Sequence, residues 1–313
     1  MKTLRKSVRF YQIWVFKLSD PIHIPVLKEE VVFFLNCKKG KFFVDGTVGC
    51  GGHAKAILEA KADTFLLGLD VDEEALKEAE RVLVPYEGRY HLVEANFAKI
   101  GLVLKSLHQE KVDGILLDLG MSSLHLAQAK RGFSFLRTGP LDMRMSKKGS
   151  LTAELIVNRW SQARLKEIIQ KYGEEKWAGR IAKCIVEERT KAPIQTTTQL
   201  AEIVAKAIPR RYWPHHIHPA TRTFQALRIA VNNELENLKQ FLTQALDCLT
   251  SGGRLVIISF HSLEDRMVKK TFREWARENK VRPLTKKPVV PTQEEVKQNP
   301  RARSAKLRAI EKI

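Results

Sequence analysis

The sequence predicts an α/β fold, a doubly wound and mostly parallel sheet interrupted by an all-helical insertion. Short apolar runs ending in a carboxylate alternate with helix-patterned stretches through the first third of the chain. A glycine-rich turn follows the first of these runs. About 100 residues of helical, charged pattern then intervene before a further strand-like run, so the sheet unit is discontinuous in sequence.

Lys41-Phe-Phe-Val-Asp45 is the first strand, followed by Gly46-Thr-Val-Gly49-Cys-Gly51-Gly52-His53 and a helix through Ala54 to Ala60. Thr64-Phe-Leu-Leu-Gly-Leu-Asp70 is the second strand. Asp72, Glu73 and Glu74 then open a helix to about Arg81, acids suiting the positive end of its dipole. Tyr90 to Glu94 and Val112-Asp-Gly-Ile-Leu-Leu-Asp118 are the third and fourth strands. Helices are expected at Thr152 to Trp160, Ala163 to Tyr172, Trp177 to Thr190 and Thr198 to Ala207. A helix at Glu234 to Leu249, the turn Ser251-Gly252-Gly253 and the strand Arg254 to Ser259 resume the sheet pattern. The division expected is a basic extension at 1–20, a Rossmann-like unit at 21–125 and 229–280, a helical insertion at 126–228, and a tail at 281–313.

The chain of 313 residues has room for about two domains. With 44% hydrophobic and 28% charged residues it is neither wholly disordered nor collagen-like. Its 54 basic and 35 acidic residues leave a net charge of +19, which favours a polyanionic partner. The ends hold most of it, +4 in residues 1–20 and +9 in residues 251–313. Residues 1–20 lack the long apolar stretch and small-residue cleavage site of a secretory signal and read as a leader extension. Prolines 283, 288, 291 and 300 among Lys and Arg predict an extended, mobile tail, either a solubilising appendage or a phosphate contact. No apolar run is long enough for a membrane span. The four cysteines form no CxxC pair, which fits a reducing, cytoplasmic setting.

Glycines at 46, 49, 51 and 52 let backbone approach a ligand, and acids at strand carboxyl ends stand where open α/β sheets bind nucleotide-like cofactors. Gly49-Cys-Gly51-Gly52-His53-Ala54 also satisfies the G-x-G-x-x-A pattern of nicotinamide dinucleotide sites. Asp45, directly ahead of the glycines, would repel a pyrophosphate but suits a cationic amino-acid end, as in S-adenosylmethionine.

Seven ordered blocks carry a resemblance. They are His23-Ile-Pro-Val-Leu27, Asp45 to His53, Asp113-Gly-Ile-Leu-Leu-Asp-Leu-Gly-Met-Ser-Ser123, Arg131-Gly-Phe-Ser-Phe135, Gly139-Pro-Leu-Asp-Met-Arg-Met145, His218-Pro-Ala-Thr-Arg-Thr-Phe-Gln225 and Ser259-Phe-His-Ser-Leu-Glu-Asp-Arg266. From about His23 to Arg308 the chain resembles the bacterial 16S ribosomal RNA (cytosine-N4)-methyltransferases. The resemblance implies a class I methyltransferase fold, S-adenosylmethionine as donor, and a decoding-centre cytidine of 16S rRNA in the small ribosomal subunit as acceptor. It places cofactor contacts on Gly51, Gly52, His53, Asp70, Phe97 and Asp118, with Asp45 beside them. The next contact falls on His125, where the family usually has Gln, and an acid is replaced by Ala127. Val48 and Cys50 are milder departures in the loop.

Methyl transfer to an exocyclic amine needs alignment and an acceptor for the amine proton. Asp118 is the first candidate for that acceptor, with Ser122 and Ser123 behind it. Arg144 and Arg222 are candidates for RNA contact, or for ion pairs with Asp142 or Glu234. Phe133 and Phe135, with Arg131, are candidates for a base-stacking lip, or for core. His261 either caps the helix after the last strand or meets the substrate. His215-His216-Ile-His218 lies between prolines with no nearby Cys or acid, so no metal site is expected there. Readings in other classes are a non-catalytic ribosome assembly factor, a methyltransferase acting on another nucleic acid or a protein, and a nicotinamide dehydrogenase.

Overall fold

A computed structural model describes residues 24–214 and 216–313. The basic segment 1–20, His23 and His215 lie outside the described residues.

Five parallel strands form the body of one seven-stranded sheet: β1 (Phe42–Asp45), β2 (Phe65–Asp70), β3 (Tyr90–Glu94), β4 (Val112–Asp118) and β5 (Leu249–Ser259). Two further strands complete it, β6 (Val281–Pro283) and β7 (Lys306–Lys312), in the spatial order β3-β2-β1-β4-β5-β7-β6. β7 runs antiparallel to both of its neighbours. The connecting helices α1 (Lys28–Leu35), α2 (Gly52–Glu59), α3 (Glu73–Leu83) and α4 (Ile100–Ser106) cover the two faces. Adjacent residues of a strand therefore enter different cores, Phe43, Leu66 and Leu116 on one side and Val44, Leu67 and Leu117 on the other. Burial on both faces is why these strands read as unbroken apolar runs rather than as an alternation.

The short helix α5 (Ser123–Ala127) leads into a cluster of five helices: α6 (Ala153–Arg159), α7 (Gln162–Gly173), α8 (Ala178–Arg189), α9 (Thr197–Ala207) and α10 (Thr221–Asn232). They enclose a separate core that includes Ile156, Leu165, Ile169, Ile181, Leu200 and Leu227. Thr152, Ser161 and Thr196 cap three of the helices, each accepting a hydrogen bond from a first-turn backbone N–H. Helix α10 was not expected and runs through the 228/229 boundary, with Ala230 and Val231 still inside the helical core. The sheet pattern resumes with α11 (Glu234–Gln244), β5 and α12 (Ser262–Arg277), and the chain continues through α13 (Gln293–Gln298).

The tail corrects the sequence reading. Residues 281–313 are not an extended appendage, because β7 lies inside the sheet and places Leu307, Ala309 and Ile310 in the two cores. Two of its basic residues are tied into the fold. Arg308 is buried and donates to both oxygens of Asp265 at 2.7 and 3.3 Å, and Lys312 donates to the Leu246 and Leu249 carbonyls. Among the described residues no helix is long and apolar enough to cross a membrane, and all four cysteines are free thiols.

Candidate active site

A cleft of about 3550 Å³ opens at the carboxyl ends of β1, β2 and β4 and is closed on its far side by the helical cluster. Its sheet wall is the loop from β1 to α2. Gly51 has φ +82°, and a Cβ there would meet Ala79 Cα of α3 at 3.1 Å, so glycine alone lets the loop lie against that helix. The strand-end acids pin the loop. Asp45 Oδ1 accepts from the Thr47 N–H at 3.1 Å, and Asp70 Oδ2 accepts from the Gly49 N–H at 2.9 Å. Thr47 Oγ1 accepts from the Asp118 N–H at 2.6 Å, tying the loop to the end of β4.

Behind the loop, buried polar atoms gather without protein partners. Asp45 is 1% exposed, and burial pushes its carboxyl up to about 7 against the pull of His53 and the Thr47 N–H. Its Oδ2, both ring nitrogens of His53 and Oδ1 of Asp118 are buried with no hydrogen-bond partner in the protein. His53 Nε2 stands 3.5 Å from Asp118 Oδ2. Leaving a buried polar group unsatisfied costs roughly 1–3 kcal/mol, so a corner with four such atoms is built for a ligand that satisfies them. Asp70 accepts from the Asp72 and Gly49 N–H groups, and burial, the larger influence, holds its carboxyl above its ordinary range. Each of its oxygens keeps a further lone pair. Phe97 lies on the 3-10 turn after β3, lines the cleft, and packs edge-on against Phe241 with centroids 5.9 Å apart.

Other expected site residues are already engaged. His125 is buried, its Nδ1 accepting from the Ser122 N–H at 3.1 Å and its Nε2 2.8 Å from Asp72 Oδ2. Its ring stacks on Phe133 at 4.6 Å. Both nitrogens are committed, so the cofactor contact expected of His125 has no free atom to make it. Burial pushes Asp72 up, but the hydrogen bond from His125 and the charge of Arg131 outweigh it and leave the carboxyl below its ordinary range. Arg131 completes a strut between the two halves, reaching Asp72 and Glu74 on one side and the Arg144 and Met145 carbonyls on the other. Gly132 follows it with φ +73°, where a Cβ would fall 2.1 Å from the Pro140 carbonyl oxygen. Ser122 Oγ caps α5, and Ser123 Oγ bonds Arg301, which reaches in from the carboxyl-terminal segment.

The RNA candidates separate. Arg144 is chelated by Asp142 at 2.7 and 2.8 Å and also donates to the Lys147 and Gly149 carbonyls, so it organises its own loop. Arg222 does not line the cleft. It donates to the Glu174 carbonyl, and Glu234 pairs instead with Arg228 through two 2.8 Å bonds. Phe133 is buried under His125 and offers no stacking lip. Phe135 lines the cleft, half-buried between His218 and Phe224. His261 caps α12 in a reciprocal pair with Glu264. Glu234, His261 and Glu264 bring ligand atoms within 4.8 Å of one another, but Arg228 occupies both oxygens of Glu234 and already supplies the positive charge.

Sequence reading missed Thr47, Arg131 as a strut, Arg228 with Glu234, and Arg301. The apolar Leu307, Ala309 and Ile310 beyond the last proline were the available signal for β7, the strand that anchors the segment carrying Arg301.

Residues 20–313 match the family model described as the MraW methylase family. The chain belongs to this family. It is 52% identical over 307 residues to a protein named ribosomal RNA small subunit methyltransferase H from Syntrophus aciditrophicus (strain SB), covering 93% of this chain and 98% of that one. Proteins of the same name from Pelobacter propionicus and Geotalea uraniireducens are 49% and 48% identical, over 93% and 95% of this chain and 98% and 100% of theirs. As a member of this methylase family the chain is a methyltransferase dependent on S-adenosylmethionine.

The residues present fit that donor. Its amino-acid end carries an ammonium group and its sulfur a positive charge, matched by the desolvated acids Asp45 and Asp118. Its ribose hydroxyls can donate to the remaining lone pairs of Asp70, and Phe97 offers an apolar ring to the adenine.

Proposed function

We propose that this methyltransferase modifies the exocyclic N4 of a decoding-centre cytidine of 16S rRNA within the small ribosomal subunit, and so works in the cytoplasm. The similarly named relatives and the seven sequence blocks support the polymer and the base. One structural observation carries the chemistry: Asp118, at the floor of a cleft large enough for a nucleotide, with a partnerless buried oxygen and His53 3.5 Å away.

S-adenosylmethionine, when bound, supplies an electrophilic methyl group on a sulfonium. The protein's task is to orient the amine and remove a proton. The N4 lone pair is delocalised into the cytosine ring. A carboxylate oxygen of Asp118 accepting from the N4–H holds the amino group in place and favours its pyramidal form. Transfer of the methyl group from the donor's sulfonium, which would leave as a neutral thioether, would make N4 cationic. The N4 proton then passes to Asp118 and neutralises the amine. His53 steadies the Asp118 carboxylate from its other side, and Asp45 holds the region electronegative for a cation. General-base assistance of this kind contributes about 10²- to 10⁴-fold, and alignment the larger share. The base must leave its stack to reach Asp118, which costs least in a single-stranded segment.

The test is incubation with methyl-labelled S-adenosylmethionine and small subunits lacking the modification, followed by nucleoside mass spectrometry. N4-methylcytidine at a single site is the expected product. Label in another nucleoside, or only in protein, would reject the assignment.

A further inference from the structure

Arg137, in the segment between α5 and α6, and the connection between α9 and α10 bring to the cleft edge side chains with no part in donor binding. We propose that Arg137, Arg210, Arg211 and Tyr212 form a lip that docks the single-stranded RNA flanking the target nucleotide. This rests on the RNA reading above and says where on the chain the strand lies.

The geometry is that of a platform. After α9 the chain makes a 3-10 turn at Arg210–Tyr212, anchored by Trp213, whose Nε1 donates to the Ile208 carbonyl at 2.9 Å. Tyr212 packs on Trp177, which itself packs against the helical core, with ring centroids 5.1 Å apart. The Arg211 guanidinium lies over the Tyr212 ring at 4.8 Å, and that of Arg210 over Trp213 at 5.8 Å. A chain of ring contacts thus runs from the core to two exposed guanidinium planes at the cleft edge, and half of the Tyr212 surface stays exposed. Planar cations backed by aromatic rings are restrained before binding and present a face on which a base can stack.

Charge separates these arginines from four other cations of the site. Arg131 pairs with Asp72, Arg144 with Asp142, Lys147 with Glu74 and Arg228 with Glu234. Among the described residues neither Arg137, Arg210 nor Arg211 makes an ion pair with a carboxylate, and all three are exposed. Uncompensated cations along one edge suit a phosphate backbone. Stacking surfaces beside them favour a strand whose bases are unpaired, the state forced on nucleotides next to an extruded cytidine.

The experiment measures binding of a short fluorescein-labelled single-stranded oligoribonucleotide to the full chain across a salt series. Arg210→Gln combined with Arg211→Gln should weaken binding about tenfold. It should also flatten the slope of log affinity against log salt by about 1.4, roughly 0.7 for each phosphate no longer neutralised. Tyr212→Leu should weaken binding about fivefold with the slope unchanged, the signature of stacking rather than charge. Lys105→Gln combined with Lys111→Gln removes the same charge from exposed sites before β4, away from the cleft, and should leave binding near wild type. Calorimetric binding of S-adenosylmethionine reports that each variant is folded.

An arginine variant with wild-type affinity, or with the slope of the lysine control, would overturn the proposal, and a Tyr212→Leu affinity equal to wild type would overturn the stacking role. RNA binding that depends on the lip while subunits gain no N4-methylcytidine would reject the methylation reading and leave the lip standing. Methylation by a chain whose RNA affinity ignores the lip would do the reverse.

Discussion

The two walls of the cleft carry charge in opposite ways. On the sheet side the charged groups are acids, Asp45, Asp70 and Asp118, which reach the cleft from strand ends and leave buried oxygens on Asp45 and Asp118 without a protein partner. On the helical side, beside the paired Arg144 and Arg228, stand Arg210 and Arg211, exposed, backed by aromatic rings and, among the described residues, without an ion pair to a carboxylate. A small donor with a fixed positive centre gains most from acids already stripped of water, because little solvent remains to screen the attraction. A polyanion is better met by hydrated cations, since its affinity comes largely from released counterions. On the proposed reading, the contrast assigns the donor to the sheet side and the RNA strand to the helical side.

The largest effect expected comes from removing residues 281–313. If the tail belongs to the sheet wall, its loss takes out both β7 and β6, the two strands beyond β5, and the shortened chain should show no cooperative melting transition by circular dichroism. A shortened protein that melts like the full chain would return the tail to the status of an appendage.

Next is Asp265→Ala. It leaves Arg308 buried without its partner, and removing one member of a buried pair costs about 3–5 kcal/mol, read as a lower urea midpoint. Lys306, 3.7 Å from Asp265, would be deprived of a weaker attraction in the same variant.

Asp45 gives a smaller effect with a defined sign. Its folded pKa is raised to about 7, whereas the unfolded chain keeps the ordinary aspartate value. Between those values the native state holds a proton that the unfolded state has lost. The group's contribution to stability is therefore full at low pH and declines as pH rises to about 7. Asp45→Asn should abolish that decline in urea titrations. A cationic donor favours the ionised carboxylate, so affinity for S-adenosylmethionine should rise with pH up to about 7 and binding near pH 6 should release a proton. Calorimetry in buffers of different ionisation enthalpy would detect it, and the Asn variant should lack it.

The smallest effect expected is on the opposite wall. Arg137→Gln alone should lower RNA affinity about twofold and the salt slope by about 0.7, measured by fluorescence anisotropy.

The five parallel strands and the glycine loop were legible because their causes are local. A strand buried on both faces must be apolar throughout, and the ligand-facing acid must follow it directly, as in Phe42–Asp45 and Val112–Asp118. What escaped depends on partners distant in sequence. Arg308 reads as a solvated charge until Asp265, 43 residues away, is seen to hold it inside the fold. Helix α10 was hidden by its polar beginning and by Arg228, whose pairing with Glu234 lets a charge sit in a buried helix. Arg144 and Phe133 have the right composition for RNA contact, but Asp142 and His125 already occupy them. Composition indicated correctly that the chain is cationic, and only the pairing pattern shows which cations remain available.

Single-turnover methyl transfer to unmodified small subunits by Asp118→Ala, at saturating S-adenosylmethionine, tests the central claim most directly, with N4-methylcytidine as the readout. The account predicts that the wild-type chain forms this nucleoside, and that the variant binds the donor and stays folded while transferring at least about 100-fold more slowly. A variant rate equal to wild type would contradict it.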